Sequence, residues 1–94
     1  MYILQISHPV PDYDKWKKAF DADPLGRKQS GVKSYRILTD QNDSKQVSVE
    51  LEFDSLDDAN NMHKALKKLW GQVEGTIITG PQSKILKVVE DVQY

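Results

Sequence analysis

Apolar and polar residues alternate most regularly along the third of four predicted strands. In residues 45–53 every second position from 47 onward is apolar, the four residues being Val47, Val49, Leu51 and Phe53. This period of two is the pattern of a strand with one buried face. Residues 32–39 form the preceding strand, and residues 40–44 are turn formers. The two strands are therefore predicted to pair as an antiparallel hairpin.

The first and last strands lie near the two ends of the chain. Residues 2–7 form the first strand, which is predicted to end there because the prolines at positions 9 and 11 each remove an amide donor. Residues 84–89 form the last strand. Residues 76–79 could add a short extended piece before it.

The first predicted helix carries three aromatic residues at helical spacing. Tyr13, Trp16 and Phe20 recur at i, i+3 and i+7, which places them on one face. Asp12 stands directly before them and can accept a hydrogen bond from an amide of the first turn. The helix is predicted to run to about Ala22.

The second predicted helix begins with a capping box. Ser55 can accept from the amide of Asp58, whose carboxylate reaches back to the amide of Ser55. The helix is predicted to end at Trp70 and Gly71. Its apolar face comprises Leu56, Ala59, Met62 or His63, Leu66 and Leu69.

The order β-α-β-β-α-β is that of the ferredoxin-like fold in the α+β class. Right-handed crossovers give an antiparallel sheet of four strands in the order 4-1-3-2, with both helices on one face. The other face, called the far face below, must meet water or a second molecule. Because a small core gains from covering this face, we expect a homodimer. The far face comprises Ile3, Gln5, Ser7, Ser34, Arg36, Leu38, Ser48, Glu50 and Glu52, in which Arg36 can pair with Glu50 or Glu52.

Composition narrows the classes of function. The 94 residues, 38% hydrophobic and 29% charged, suit one soluble globular domain spanning 1–94. A net charge of −1 gives no field to attract nucleic acid, and the absence of cysteine excludes disulfides and thiolate chemistry. No secretory signal, membrane-spanning run or spacing of metal ligands is evident, so we expect a cytoplasmic protein with no metal and no cofactor.

A resemblance extends over nearly the whole chain. It rests on His8-x-Val10-x-Asp12-Tyr13-Asp14-x-Trp16-x-x-x-Phe20, on Gly31-Val32-x-x-Tyr35-Arg36, on Asp40 with Asn42, on Val47-x-Val49-x-Leu51-Glu52-Phe53, on Ser55-x-Asp57-x-Ala59, and on Gly80-Pro81. These residues resemble small proteins of the dimeric α+β barrel superfamily, close to the antibiotic biosynthesis monooxygenase-like group. The resemblance implies that two subunits pack sheet against sheet into a barrel. It also implies activities that range from cofactor-independent oxygenation of aromatic polyketides to haem degradation and isomerisation.

The residues match the haem-degrading branch poorly. The pattern of that branch has an asparagine on the first strand and a helical tryptophan about ten residues before a histidine. Here the first strand offers Gln5 or Ser7, and His63 precedes Trp70.

The candidate site residues are the two histidines and four aromatic residues. His8 and His63 are the candidate catalytic groups, since imidazole transfers protons near neutral pH. Each also has a structural interpretation, His8 as a partner of main-chain groups freed by the prolines and His63 as a packing residue. The predicted ligand pocket comprises Trp16, Phe20, Tyr35 and Trp70, although aromatic residues at this spacing also form ordinary cores.

Two hypotheses of function follow. The first is a protein that binds a hydrophobic or aromatic small molecule, either as a binding protein only or as a cofactor-independent monooxygenase or cyclase-type enzyme. The second is a non-enzymatic structural or interaction module that forms a homodimer through its far face. The sequence leaves open whether the protein is an enzyme.

Overall fold

The computed structural model describes residues 1–73 and 80–94. The elements follow the predicted order β-α-β-β-α-β. In chain order they are β1 (Tyr2–Pro9), α1 (Tyr13–Asp21), β2 (Val32–Asp40), β3 (Asp43–Phe53), α2 (Leu56–Val73) and β4 (Gln82–Lys87). Within the described residues, no helix is long and apolar enough to cross a membrane.

The four strands form one antiparallel sheet in the order β2-β3-β1-β4. This order confirms the prediction, because read from the other edge it is 4-1-3-2. The register places Ile6 opposite Val49 of β3 and opposite Ser83 of β4. Side chains at paired positions lie on the same face of the sheet. Ile6 and Val49 are both buried, on the face that the helices cover.

The prediction that β1 ends at Ser7 is wrong, since the strand includes His8 and Pro9. Pairing with β3 continues to Pro9, whereas pairing with β4 stops at Ser7. The amide of Val10 donates to the carbonyl of Lys45 in β3 at 2.7 Å. Because successive amides of a strand point to opposite neighbours, the nitrogen of Pro9 faces the side that β4 has left, where no donor is needed.

The boundaries of α2, β3 and β4 also differ from the predicted ones. Helix α2 continues through Gly71 to Val73. The φ angle of Gly71 is not positive, so this glycine does not end the helix as a left-handed cap. Strand β4 spans Gln82–Lys87 and therefore begins and ends two residues earlier than predicted. Strand β3 begins at Asp43, which shortens the turn of the hairpin. The extended piece predicted at residues 76–79 lies outside the described residues.

The segment between α1 and β2 is held in a fixed conformation by its main chain. Asp23 has a φ of 52° and Gly31 a φ of 97°, both in the left-handed region. A Cβ atom at Gly31 would overlap the carboxyl group of Asp58 on α2, so only glycine fits there. The carboxylate of Asp23 accepts from the amide of Arg27 at 2.9 Å. These constraints fix the position of Arg27 relative to the end of α1.

The core lies between the sheet and the two helices. Its fully or nearly fully buried side chains are Leu4, Ile6, Val10, Trp16, Val32, Val47, Val49, Leu51, Phe53, Ala59 and Met62. All four apolar positions of the alternating strand are among them. Burial on this scale is the main force that favours folding.

Polar side chains on the far face pair with one another. Arg36 Nη2 donates to Glu50 Oε1 at 2.6 Å, and Gln5 Nε2 donates to Glu50 Oε2 at 3.2 Å. The hydroxyl groups of Ser7 and Ser48 are 3.1 Å apart and share a hydrogen bond. The sequence left open whether Arg36 pairs with Glu50 or with Glu52, and in the structure it pairs with Glu50. The Arg36 guanidinium, and secondarily Gln5, hold the pKa of Glu50 below its usual value.

Candidate ligand-binding cleft

A cleft of about 160 Å³ opens between α1, α2 and the helix-facing side of the sheet. An engineered cavity of about 150 Å³ in another protein binds benzene, so this volume holds one aromatic ring. The cleft is lined by Ile6, His8, Trp16, Ala19, Phe20, Asp23, Pro24, Leu25, Arg27, Val49, Leu51, Met62, Leu66, Leu69 and Trp70. Nearly all of these side chains are apolar or aromatic, which is typical of a site for a small organic molecule.

His8 is the buried polar residue of this cleft. The alternation of β1 points it towards the helices, where 5% of its surface is exposed. Its ring centre is 5.6 Å from that of Trp16. Its Nδ1 atom is buried and has no hydrogen-bond partner among residues 1–73 and 80–94. The main chain of Pro9 lies close enough to the imidazole to raise its pKa, which agrees in part with the structural role expected for His8, but no contact at Nδ1 has the geometry of a hydrogen bond.

Burial determines the charge of His8. It lowers the pKa of the imidazole below 6.5, because a protonated ring would lose its hydration, and the main chain of Pro9 opposes this only in part. The side chain is therefore neutral at pH 7. A neutral imidazole has one nitrogen that accepts a hydrogen bond or a proton and one that donates.

Aromatic rings extend in a row from His8 towards the end of α1. The ring centres of Trp16 and Phe20 are 5.3 Å apart, and those of Phe20 and Tyr35 are 5.1 Å apart. Helical spacing in α1 brings Trp16 and Phe20 together, and the start of β2 adds Tyr35. Tyr35 is 47% exposed and ends the row outside the cleft.

Arg27 lies over the outer end of this row. Its Cζ atom is 3.9 Å from the ring centre of Phe20 and 5.0 Å from that of Tyr35. Its Nη1 atom donates to the carbonyl of Phe20 at 2.8 Å and is 3.6 Å from the Asp23 carboxylate. The side chain is only 18% exposed. Arg27 was not among the predicted site residues.

His63 lies apart from the cleft. Its Nε2 atom shares a hydrogen bond of 2.6 Å with the hydroxyl of Ser83 on β4. Partial burial, and secondly the positive charge of Lys67, lower the pKa of His63. The two histidines are therefore in different environments, one unpaired against apolar rings and the other paired at the edge of the sheet.

The cleft collects four of the six predicted site residues. His8, Trp16, Phe20 and Trp70 line it, and Tyr35 adjoins it through Phe20, whereas His63 does not line it. The missed residues follow α1, at Asp23, Pro24, Leu25 and Arg27. The spacing of Asp23 and Arg27 at i and i+4, directly after an aromatic helix, is a signal that could have pointed to them. Within the described residues, no group of three metal-ligating side chains occurs.

Comparison with solved structures gives the fold of this chain. A dimeric ferredoxin-like protein from an uncultured marine organism matches with a TM-score of 0.69 at 11% identity, and the match covers 100% of each chain. An antibiotic biosynthesis monooxygenase matches with a TM-score of 0.69 at 14% identity, over 96% of this chain and 100% of that one. The predicted resemblance to these proteins is thereby confirmed for the fold. No model of a protein family matches the sequence, and no curated protein matches it significantly.

A variant of SnoaB, a cofactor-independent oxygenase from Streptomyces nogalater, has a TM-score of 0.77 at 8% identity, over 99% of this chain and 97% of that one. A variant of MhuD with two manganese protoporphyrin IX molecules bound per active site has a TM-score of 0.68 at 15% identity, and the match covers 100% of each chain. Identities this low establish a shared fold and leave the chemistry to the residues of the cleft.

Proposed function

We propose that this protein binds a small, flat aromatic molecule in the cleft between its helices and its sheet. The observation that carries the proposal is the unpaired Nδ1 atom of His8. Buried polar atoms are nearly always hydrogen-bonded, and an unpaired one costs about 1–3 kcal/mol. A ligand with a hydroxyl or amide group at this depth would satisfy His8, while its ring would lie among the indoles of Trp16 and Trp70.

His8 is also the group best suited to proton transfer within the cleft. Its neutral imidazole accepts the proton of a phenolic hydroxyl, which leaves a phenolate beside an imidazolium. Such a step fits cofactor-independent oxygenation or cyclisation, and the fold likeness to SnoaB supports oxygenation as the first activity to assay. His63 remains a second candidate, and its bond to Ser83 makes a positioning role the simpler interpretation.

We further propose that the protein is a homodimer joined through its far face. The solved structures of the same fold include proteins described as dimeric. The far face has apolar groups at Ile3 and Leu38 around a centre of paired polar groups, a composition typical of an interface that encloses some water. We place the dimer in the cytoplasm, because the chain has no cysteine for the disulfides common in small extracellular domains.

A thermal-shift screen with flat phenolic compounds tests ligand binding. We expect at least one compound to raise the melting temperature of the wild-type protein and to raise that of His8→Ala less. His63→Ala is the matched control, since it removes an imidazole outside the cleft, and its shift should equal that of wild type. If no compound shifts the wild-type protein, the alternative of a structural module without a ligand is favoured. If His63→Ala loses the shift instead, His63 is the site residue.

Light scattering at micromolar concentration tests the dimer. We expect a mass of twice the 10.8 kDa chain. Ser48→Arg places a bulky charge at the middle of the far face and should give the mass of one chain. A mass of 10.8 kDa for the wild-type protein would contradict the proposal.

A further inference from the structure

The mouth of the cleft holds one cation whose hydrogen-bonding capacity is only partly used. Arg27 lines both the cleft and a shallow groove that continues outward past Tyr35. We propose that Arg27 binds the carboxylate of the ligand, so that the molecule recognised by the cleft is an aromatic acid. This inference rests on the proposed function of the cleft and specifies the chemistry of its ligand.

The guanidinium of Arg27 is held in one orientation. It stacks on Phe20 and faces Tyr35, and cation–π contacts of this kind favour a fixed position for the charge. Its Nη1 atom is committed to the carbonyl of Phe20. A cation held in this way loses little further freedom when it binds an anion.

The opposite edge of the guanidinium is available. Nε and Nη2 of Arg27 have no acceptor among residues 1–73 and 80–94, and neither is sealed from solvent. These two atoms form the edge that matches a carboxylate. Arg36 uses the same edge on the far face, where its Nε and Nη2 donate to Glu50 at 3.2 and 2.6 Å.

The charges around Arg27 favour an anion. Lys28 and Lys33 line the same groove, and Asp23 is its acidic residue. The Asp23 carboxylate already accepts from the main-chain amide of Arg27 and is 3.6 Å from Nη1, on the committed side of the guanidinium. Lys33 is 3.8 Å from Asp54, which offsets part of its charge. The groove remains positive through Arg27 and Lys28, which would steer an anionic ligand to the mouth.

His8 and Arg27 define a direction for the ligand. His8 lies at the buried end of the aromatic row, and Arg27 lies at the exposed end, with Trp16 and Phe20 between them. A ligand with a hydroxyl group at one end and a carboxylate at the other would satisfy both. The apolar walls between them would cover its ring.

Binding of 4-hydroxybenzoate and of 4-hydroxybenzamide tests this inference. The two compounds have nearly the same shape, and only the first is charged. Fluorescence of the two tryptophans reports binding directly, because Trp16 and Trp70 both line the cleft. We expect the wild-type protein to bind the acid about tenfold more tightly than the amide, the ratio typical of one charge-assisted hydrogen-bonded pair. Arg27→Gln should lose most of this preference, because the affinity for the acid should fall by more than the affinity for the amide.

Two further variants are needed, one that separates the shape of the guanidinium from its charge and one that serves as a control. Arg27→Lys keeps the charge and loses the paired donors, so its preference for the acid should fall between those of wild type and Arg27→Gln. Lys64→Gln removes an exposed charge that lines neither the cleft nor the groove and should retain the preference. Thermal melting shows that each variant is folded before its affinities are compared.

Three results would overturn the inference. Equal affinity of the wild-type protein for the acid and the amide would mean that the cleft binds the aromatic ring but does not recognise the carboxylate. The proposed function would then stand without this inference. Equal losses for both compounds in Arg27→Gln would assign Arg27 a structural role. Failure of both compounds to bind the wild-type protein would overturn the proposed function and this inference together.

Discussion

The two faces of the sheet differ in how their polar groups are hydrogen-bonded. On the far face, Arg36, Glu50 and Gln5 form one hydrogen-bonded group, and Ser7 bonds to Ser48. On the face towards the helices, His8 is buried with an unpaired nitrogen among apolar residues. The polar groups on the far face thus find hydrogen-bond partners within the chain, whereas Nδ1 of His8 has none among the residues that the structure describes.

This difference indicates where a ligand belongs. A buried polar atom without a partner lowers stability, so its presence in a folded chain points to a role beyond folding. Polar groups that pair with one another, as on the far face, need no such explanation. A comparison of stabilities between the two faces therefore tests the assignment of the site.

Loss of a core side chain should have the largest effect. Phe53→Ala removes a fully buried ring and should lower the free energy of unfolding by about 3–5 kcal/mol. Ser48→Ala on the far face of the same strand should change it by less than about 0.5 kcal/mol. Denaturation in urea measures both. Similar losses for the two variants would show that the faces do not differ in this way.

Replacement of His8 should stabilise the protein. His8→Leu removes the unpaired nitrogen and should raise the free energy of unfolding by about 1–3 kcal/mol, the cost of leaving a buried polar group unsatisfied. It should also weaken binding of phenolic ligands, which would be a trade of function for stability. Ser7→Ala, one residue away on the far face, is the matched control. A destabilised His8→Leu protein would mean that the imidazole contributes to folding.

Acidification should act on the near face at a higher pH than on the far face. Burial lowers the folded-state pKa of His8 below 6.5, so between 6.5 and that lowered value the unfolded chain binds a proton that the folded chain does not. Stability is therefore full above pH 6.5 and declines as the pH falls through this window. Urea denaturation at a series of pH values should show this decline, reduced in His8→Leu. The remainder should be due to His63, whose pKa is also lowered. An unchanged profile in His8→Leu would contradict the prediction.

The far face should give the smallest effect, and at lower pH. Arg36 and Gln5 hold the pKa of Glu50 below 4.5, so the stability from this group is present above pH 4.5 and is lost as the pH falls through the lowered value. Glu50→Gln should remove this part of the acid profile and leave the region near pH 6 unchanged. The change should be small in the single chain, where Arg36 is exposed and solvent screens the pair. A change near pH 6 in this variant would contradict the assignment of that region to histidine.

The architecture was predictable because it depends on local patterns. The alternation of residues 45–53 and the spacing of Tyr13, Trp16 and Phe20 each specify an element within a few residues. Asp12 caps α1 as predicted, and Ser55 accepts from the amide of Asp58 at 3.3 Å. Boundaries failed where a distant strand determined them, as at Pro9, which β3 keeps in the sheet.

The sequence alone determined the fold, the two faces of the sheet and the common face of Tyr13, Trp16 and Phe20 on α1. The periods of 2 and 3.6 residues fix these features, because they state which side of each element is buried. Only the tertiary structure decided that Nδ1 of His8 has no partner in the described part of the chain, that His63 binds Ser83, and that Arg27 stacks on Phe20. Those facts depend on distances between segments far apart in the chain or on the path of a loop, which no local pattern encodes.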